Sequence, residues 1–268
     1  MAEISVRPRA PLRLPRATGG DFVLRRRGPW LERLLILGDE AMIVRVRQAG
    51  DELVFTAEPV DPESLEGPGA DALCPAGTEV LQAGIDSLRF SLGVDDDLAG
   101  FHKAFRDDPL LGPALRGRLH SRPGRRPVAW EALLWAITEQ LIEYRRAARI
   151  QRQLIRRFGI RQKSGSGGPP DRGYRSSRSG QSDRPGRAGR RGQDDPLTCV
   201  PAPAAIAGAA PAELEACGLS ARRSIAMIKV AREVKSGRVD PADPAGDRRL
   251  ISIPMIGPWT IACLALRG

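Results

Sequence analysis

The sequence is poor in the residues that bind metals or form crosslinks, with four cysteines and two histidines in 268 residues. Cys74, Cys199, Cys217 and Cys263 lie far apart, no two form a Cys-x-x-Cys pair, and neither His102 nor His120 is near one of them. Zinc sites, iron–sulfur clusters and disulfide frameworks need closely spaced or paired ligands, so this pattern argues against all three. The cysteines read as small buried or half-buried hydrophobes. Long apolar runs are missing as well. No stretch approaches the roughly eighteen apolar residues of a membrane span, and the arginines of the opening MAEISVRPRAPLRLPR are not followed by an apolar signal core. The expectation is a reduced, cytoplasmic, nucleoid-associated protein with no membrane partner, a monomer by default. Aromatic residues make up only 4%, and none are patterned as the base-stacking platform of an RNA-recognition sheet, which argues against an RNA-associated protein.

What the chain has in excess is positive charge. It carries 42 Lys and Arg against 32 Asp and Glu, a net charge of +10. Such a field draws polyanions, of which nucleic acid is the commonest inside cells. An arginine-rich composition can also follow from a GC-rich coding sequence, so charge alone leaves the partner open. The length allows one large or two compact cores without covalent staples.

Residues 22–92 alternate short apolar runs with turn residues: FVL at 22–24, LLIL at 34–37, MIVRVR at 42–47, LVFTA at 53–57 and LRFSL at 88–92. Each reads as a β-strand. Ile43, Val44 and Val46 with Arg45 and Arg47 between them show the period of two of a half-buried antiparallel strand, and Gly50-Asp51 supplies a turn. A small antiparallel sheet domain over 1–92 is expected, with the boundary near Gly93.

From Asp95 the spacing becomes helical, with Leu98, Phe101 and Phe105 on one face, and 93–160 reads as the first part of a helical domain. Within 129–158, Trp130, Leu133, Leu134, Ile137, Leu141, Tyr144, Ala148, Leu154, Ile155 and Phe158 recur at steps of three and four, with Gly159 placed as a C-cap. That run fits either one long helix or two meeting near Ile142. Residues 161–196 are dominated by Gly, Ser, Pro and Arg. Without core-forming side chains this stretch cannot offset its ordering entropy and is expected to be disordered. A basic arm on phosphates, a passive linker and an out-of-frame stretch all remain open for it. Order is expected again over 197–268. A short helix runs from Pro211 to Cys217, and Ser220 caps another that reaches Lys235 and ends at Gly237. Arg222, Arg223, Lys229 and Arg232 on that helix read as a solvated face.

The closing run LISIPMIGPWTIACLALRG, residues 250–268, joins a short helix to a second one by a tight apolar turn at 253–260. Pro258 suits a first helical turn, and the free backbone N–H groups of a helix start can receive a phosphate. By spacing alone a Pro-x-x-Gly turn between helices is also an ordinary αα corner.

Three blocks resemble the 3-methyladenine DNA glycosylase II family of the helix-hairpin-helix superfamily. They are FHKAFRDDPLL at 101–111 with WEALLWAITEQLIEYRRAARIQRQLIRRFG at 130–159, then 201–240, then the hairpin with PWTIACLALRG, in family order over about half the chain. The resemblance implies an α+β protein: an antiparallel N-terminal sheet domain followed by an all-α helix-hairpin-helix glycosylase domain. It implies a DNA repair enzyme that hydrolyses the N-glycosidic bond of alkylated purines in duplex DNA. The alternative is a non-catalytic helix-hairpin-helix DNA-binding protein.

By position, Gln140, Leu141, Ile256, Gly257, Pro258 and Thr260 match DNA-contacting residues of the family. Leu141 falls at its apolar wedge, though helical spacing suits burial there equally. Trp259 matches a base-pocket residue, at the place where bifunctional relatives keep a Schiff-base lysine, which implies a monofunctional hydrolase. The carbonyls of Ile251, Ile253 and Ile256 match those that hold a monovalent cation; no other cofactor is implied. Two departures stand out: Met255 where the family turn has glycine, which would strain a left-handed backbone, and Cys263 where some members place another pocket aromatic. The family's catalytic aspartate has its place beyond Gly268, and nothing acidic follows Asp247. The sequence therefore reads as C-terminally truncated and impaired in catalysis.

Overall fold

The computed structural model describes residues 1–15, 20–163 and 196–268. Most of the stretch expected to be disordered lies outside them. Five strands, β1 (Ala2–Val6), β2 (Arg25–Arg27), β3 (Trp30–Leu37), β4 (Glu40–Ala49) and β5 (Glu52–Pro59), form an antiparallel sheet in the order β1-β5-β4-β3-β2. The register sets Leu34 opposite Ile43 and Val46 opposite Phe55. The two-residue strand β6 (Leu65–Glu66) lies apart from this sheet, while β7 (Cys74–Pro75) pairs in parallel with β4.

Both faces of the central strands are covered. On one, Leu31, Met42, Val44, Phe55 and Ala57 pack against Leu81, Ile85 and Leu88 of helix α1 (Thr78–Leu92); on the other, Leu34, Ala41 and Ile43 meet Leu65, Ile160, Leu197 and Cys199. That explains why the LLIL stretch of β3 at 34–37 reads as a continuous apolar run rather than an alternating one. Two expected strands are corrected. Residues 88–92 form the last turns of α1, because Leu81, Ile85 and Leu88 recur at helical steps that a five-residue window cannot reveal. Residues 22–24 are irregular: Asp21 accepts the Val23 N–H, Phe22 takes a left-handed φ of 65°, and the strand starts at Arg25.

The helical part begins with α2 (Ala99–Phe105) and α3 (Leu111–Gly117). Phe101 and Phe105 share a face as expected, yet that face is exposed, the two rings packing on each other at 4.9 Å. Helix α4 (Ala129–Glu139) is buried continuously from Trp130 to Thr138 and forms the spine of the domain. It is followed, after a break, by α5 (Tyr144–Phe158), so the 129–158 run is two helices. Gly159 ends α5 in an extended conformation, giving its N–H to Ile155 O, without the left-handed turn usual for a C-terminal glycine.

The first residues beyond α5 are ordered: β8 (Arg161–Gln162) pairs antiparallel with β6. Then come α6 (Pro203–Ala207), α7 (Pro211–Ala216), α8 (Ala221–Lys235), α9 (Asp247–Ile251) and α10 (Pro258–Arg267). Their apolar faces join α4 and α5 in one core that includes Leu133, Ile137, Leu154, Met227, Leu250, Ile256 and Leu264. Ser220 sits at the N-cap of α8, though its hydroxyl makes no capping hydrogen bond. No helix among the described residues is long and apolar enough to cross a membrane.

Candidate nucleic-acid interface

The turn between α9 and α10 is held by its own backbone. Ile253 N–H donates to Leu250 O at 3.0 Å and Ile256 N–H to Ile253 O at 3.0 Å, while Gly257 O receives the N–H groups of Thr260 and Ile261. Ile253 and Ile256 point into the core, leaving Pro254, Met255, Pro258 and the half-exposed Trp259 on the outside. Met255 takes a φ of 77°, the left-handed turn that its replacement of glycine would strain. Among the described residues the N–H groups of Gly257 and Trp259 have no backbone partner. They stand at the positive end of α10, where an anion is stabilised.

The second element is the break between α4 and α5. Leu141 there is 100% exposed with φ 53°, so it is a leucine on no core face, held in a conformation leucine rarely adopts. Gln140, by contrast, is buried. Its side-chain amide donates to Met255 O at 2.8 Å and to Thr260 Oγ1 at 2.9 Å. One glutamine thus couples the break to the hairpin, and Thr260 is turned inward as its partner. Arg223 of α8 donates to Gln140 O, and Arg267 of α10 pairs with Glu139. Burial, and then the charge of Arg146, lower the Arg223 pKa below the ordinary guanidinium value. Arg223 is therefore no solvated ornament of α8, whereas Arg222, Lys229 and Arg232 are exposed as expected, Arg232 also donating to Ala207 O.

Beside Leu141 lies a group that no sequence motif marks. The Tyr144 ring stacks on Trp135 at 5.8 Å and 12°, and Arg126 lies 4.4 Å over Trp135. Asp21, 3% exposed, accepts from Arg126 at 2.7 Å and from the Trp135 indole N–H at 3.2 Å. Gly20 N–H donates to the Tyr144 hydroxyl. The contacts of Gly20 and Asp21 span more than a hundred residues of chain, and no local spacing announces them.

No protein-family model matches the chain, and no curated protein matches it in sequence. Solved structures do. The 3-methyladenine DNA glycosylase from Archaeoglobus fulgidus superposes with a TM-score of 0.62 at 16% identity, over 98% of this chain and 78% of that one. MBOgg1 in complex with a low-affinity DNA ligand gives 0.58 at 15% identity, over 99% and 76%. The Clostridium acetobutylicum 8-oxoguanine glycosylase/lyase, in complex with double-stranded DNA, gives 0.55 at 13% identity, over 93% and 70%. The fold is that of the helix-hairpin-helix DNA glycosylases.

Within this fold the residues singled out from sequence fall into two kinds. Leu141, Gly257, Pro258 and Trp259 lie at or near the surface, at the break and the hairpin. Gln140, Ile256 and Thr260 are buried and shape those two features from beneath. The carbonyls of Ile251 and Ile256 receive no backbone N–H outside the regular helices among the described residues, while that of Ile253 receives one and keeps its second lone pair. Cys263 is partly buried, and that burial pushes its thiol pKa up, so it stays protonated near neutrality. Desolvation holds Cys199 still higher, at about 12.

Proposed function

We propose that this protein is a DNA repair glycosylase, monofunctional and directed at alkylated purines, that holds duplex DNA between its hairpin and Leu141. The observation that carries this reading is Leu141: fully exposed, left-handed, and fixed through Gln140 to the turn that would grip the phosphate. A base inside the stack hides its glycosidic bond, so it must be flipped out before hydrolysis. An apolar wedge on a pinned loop fills the gap that the base leaves.

On this reading the N–H groups of Gly257 and Trp259 receive a phosphate oxygen, indifferent to base sequence. The carbonyls of Ile251, Ile253 and Ile256 would hold a monovalent cation that adds its charge at the same phosphate. The Trp259 ring offers a face to a cationic alkylated base, and having no amine it cannot form a Schiff base, which favours hydrolysis by water. Bond cleavage develops positive charge on the sugar, and a carboxylate is the group suited to stabilise it. Asp21 is withheld from that task, since Arg126 and Trp135 both donate to its Oδ2 and the Val23 N–H donates to its Oδ1. The resemblance places the carboxylate after Gly268, so residues 1–268 alone are expected to bind and distort DNA with little hydrolysis.

The test is release of 3-methyladenine from methylated duplex DNA, by the 268-residue chain and by a longer chain carrying the aspartate. Release by the longer chain only is expected; no release by either would sink the assignment. It would leave the second reading, a non-catalytic DNA-binding protein, which the engagement of Asp21 favours.

A further inference from the structure

Beyond β1 the chain keeps its strand-like alternation although it no longer pairs with the sheet. Over 7–15 the odd positions are exposed and the even ones covered, with Leu12 fully buried. Arg7, Arg9 and Arg13 therefore stand on one outward side. Their backbone is pinned from behind: Arg122 donates to Ala10 O and Pro11 O, Arg26 donates to Pro15 O, and Arg9 N–H reaches Val94 O. This row is a fixed rim and not a loose tail.

The rim borders an open groove of about 960 Å³ at the end of the sheet, closed by Arg26, Pro29, Gln48, Gly50, Asp51 and His120. Asp51 is its single acidic residue, paired to Arg7 at 3.4 Å with both side chains mostly solvated, a contact that competes weakly. The side chains of Arg9 and Arg13 have no partner among the described residues. His120 Nδ1 and Arg26 Nε are buried without a hydrogen bond. Unmet donors and acceptors beside a cationic rim are what a bound anion would satisfy.

We infer that this groove is a second nucleic-acid contact, binding the sugar–phosphate backbone of one strand through Arg7, Arg9 and Arg13. An extended chain rises about 3.3 Å per residue. Arg7 to Arg9 is then about one step between successive phosphates of a strand, and the chain bends at Arg9 and Ala10 before it reaches Arg13. An acidic peptide is the poorer fit. A peptide adding to this rim would need backbone N–H donors, and Pro8, Pro11 and Pro15 have none. Phosphate recognition needs only the arginine forks. The site is independent of the hairpin and of any base-release chemistry, and it shares no residue with either.

Binding of a fluorescent duplex oligonucleotide, measured against salt concentration, tests the inference. The triple variant Arg7→Ala, Arg9→Ala, Arg13→Ala should lower the slope of log K against log salt by about 2 to 3, near one unit for each phosphate that the arginines no longer neutralise. Gly257→Pro should weaken binding while leaving the rim's share of that slope in place. Circular dichroism checks that the triple variant keeps its fold, as solvated side chains predict. An unchanged slope in the triple variant would overturn the inference. So would an equal fall on removing Arg106, Arg116 and Arg118 of the α2–α3 region, which would assign the effect to net charge. Binding of polyglutamate with the same dependence on the three arginines would overturn the assignment to nucleic acid.

Discussion

Two residues in the candidate interface adopt backbone conformations that cost an L-amino acid about 1–2 kcal/mol, and they do so for different reasons. At Leu141 the side chain touches solvent alone, so nothing in the folded protein offsets the strain. Leu141→Gly should therefore raise stability by roughly 0.5–1 kcal/mol after the entropic cost of glycine, read as a higher urea midpoint. The same change should abolish the fluorescence rise of 2-aminopurine placed in the target step of a bound duplex. Unimpaired unstacking by the glycine variant would remove the wedge. Met255 is strained by the turn itself, and Met255→Gly should stabilise by a similar roughly 0.5–1 kcal/mol while DNA binding is kept or tightened. This second strain was legible in the sequence, because a turn that calls for glycine carries methionine. The first was not. Leu141 continues the helical spacing of its neighbours, and only the break after Glu139 takes it out of the core.

At the scale of elements, that break is stabilised from the buried side. Thr138 Oγ1 and Leu134 O both receive the Gln151 amide, locking α5 to α4, while the Gln140 amide reaches across to the hairpin. Gln140→Ala leaves Thr260 Oγ1 and Met255 O without their donor and should cost about 1–3 kcal/mol. It should also reduce 2-aminopurine unstacking with Leu141 still present, a result that a merely destabilising change would not give at low temperature. The apolar periodicity showed that two helices were one option; it could not show that a glutamine at their junction serves a turn more than a hundred residues away. A second tether joins α8 to α9, where Arg238 and then Arg249 hydrogen-bond Glu233 and hold its carboxyl at about 2 rather than 4.5. A depressed carboxylate contributes stability above its unfolded value and loses it as pH falls toward the folded one. The Tm deficit of Glu233→Gln should thus be full at pH 7, shrink below about 4.5 and vanish near 2.

On the scale of the whole molecule, the sheet and the helical part are joined through buried groups as well as through apolar contact. Arg33 of β3 and Glu131 of α4 form an ion pair at 2.6 Å with both side chains nearly inaccessible. Arg33→Met should cost about 3–5 kcal/mol by leaving a buried carboxylate unpaired, and the double variant with Glu131→Leu should recover most of it. Urea titration of the three proteins measures the difference. The antiparallel sheet, its three central strands and the helix-rich second half were readable from period and composition. Strand β1, the helical nature of 88–92 and the cover on the second sheet face were not, because each depends on partners far along the chain.

That second cover has a consequence for how the gene can vary. Gln162 N–H donates to Leu197 O and Cys199 N–H to Ile160 O, and Arg161 bridges Thr198, so positions 163 and 196 are held next to one another. The two ends that any connection must join are therefore neighbours. The length of that connection is free of any structural ruler: each doubling adds only about 0.6 kcal/mol of closure entropy. Replacing 164–195 by a short glycine–serine turn should leave the Tm equal or higher, and foreign sequence spliced there should be carried without refolding either flank.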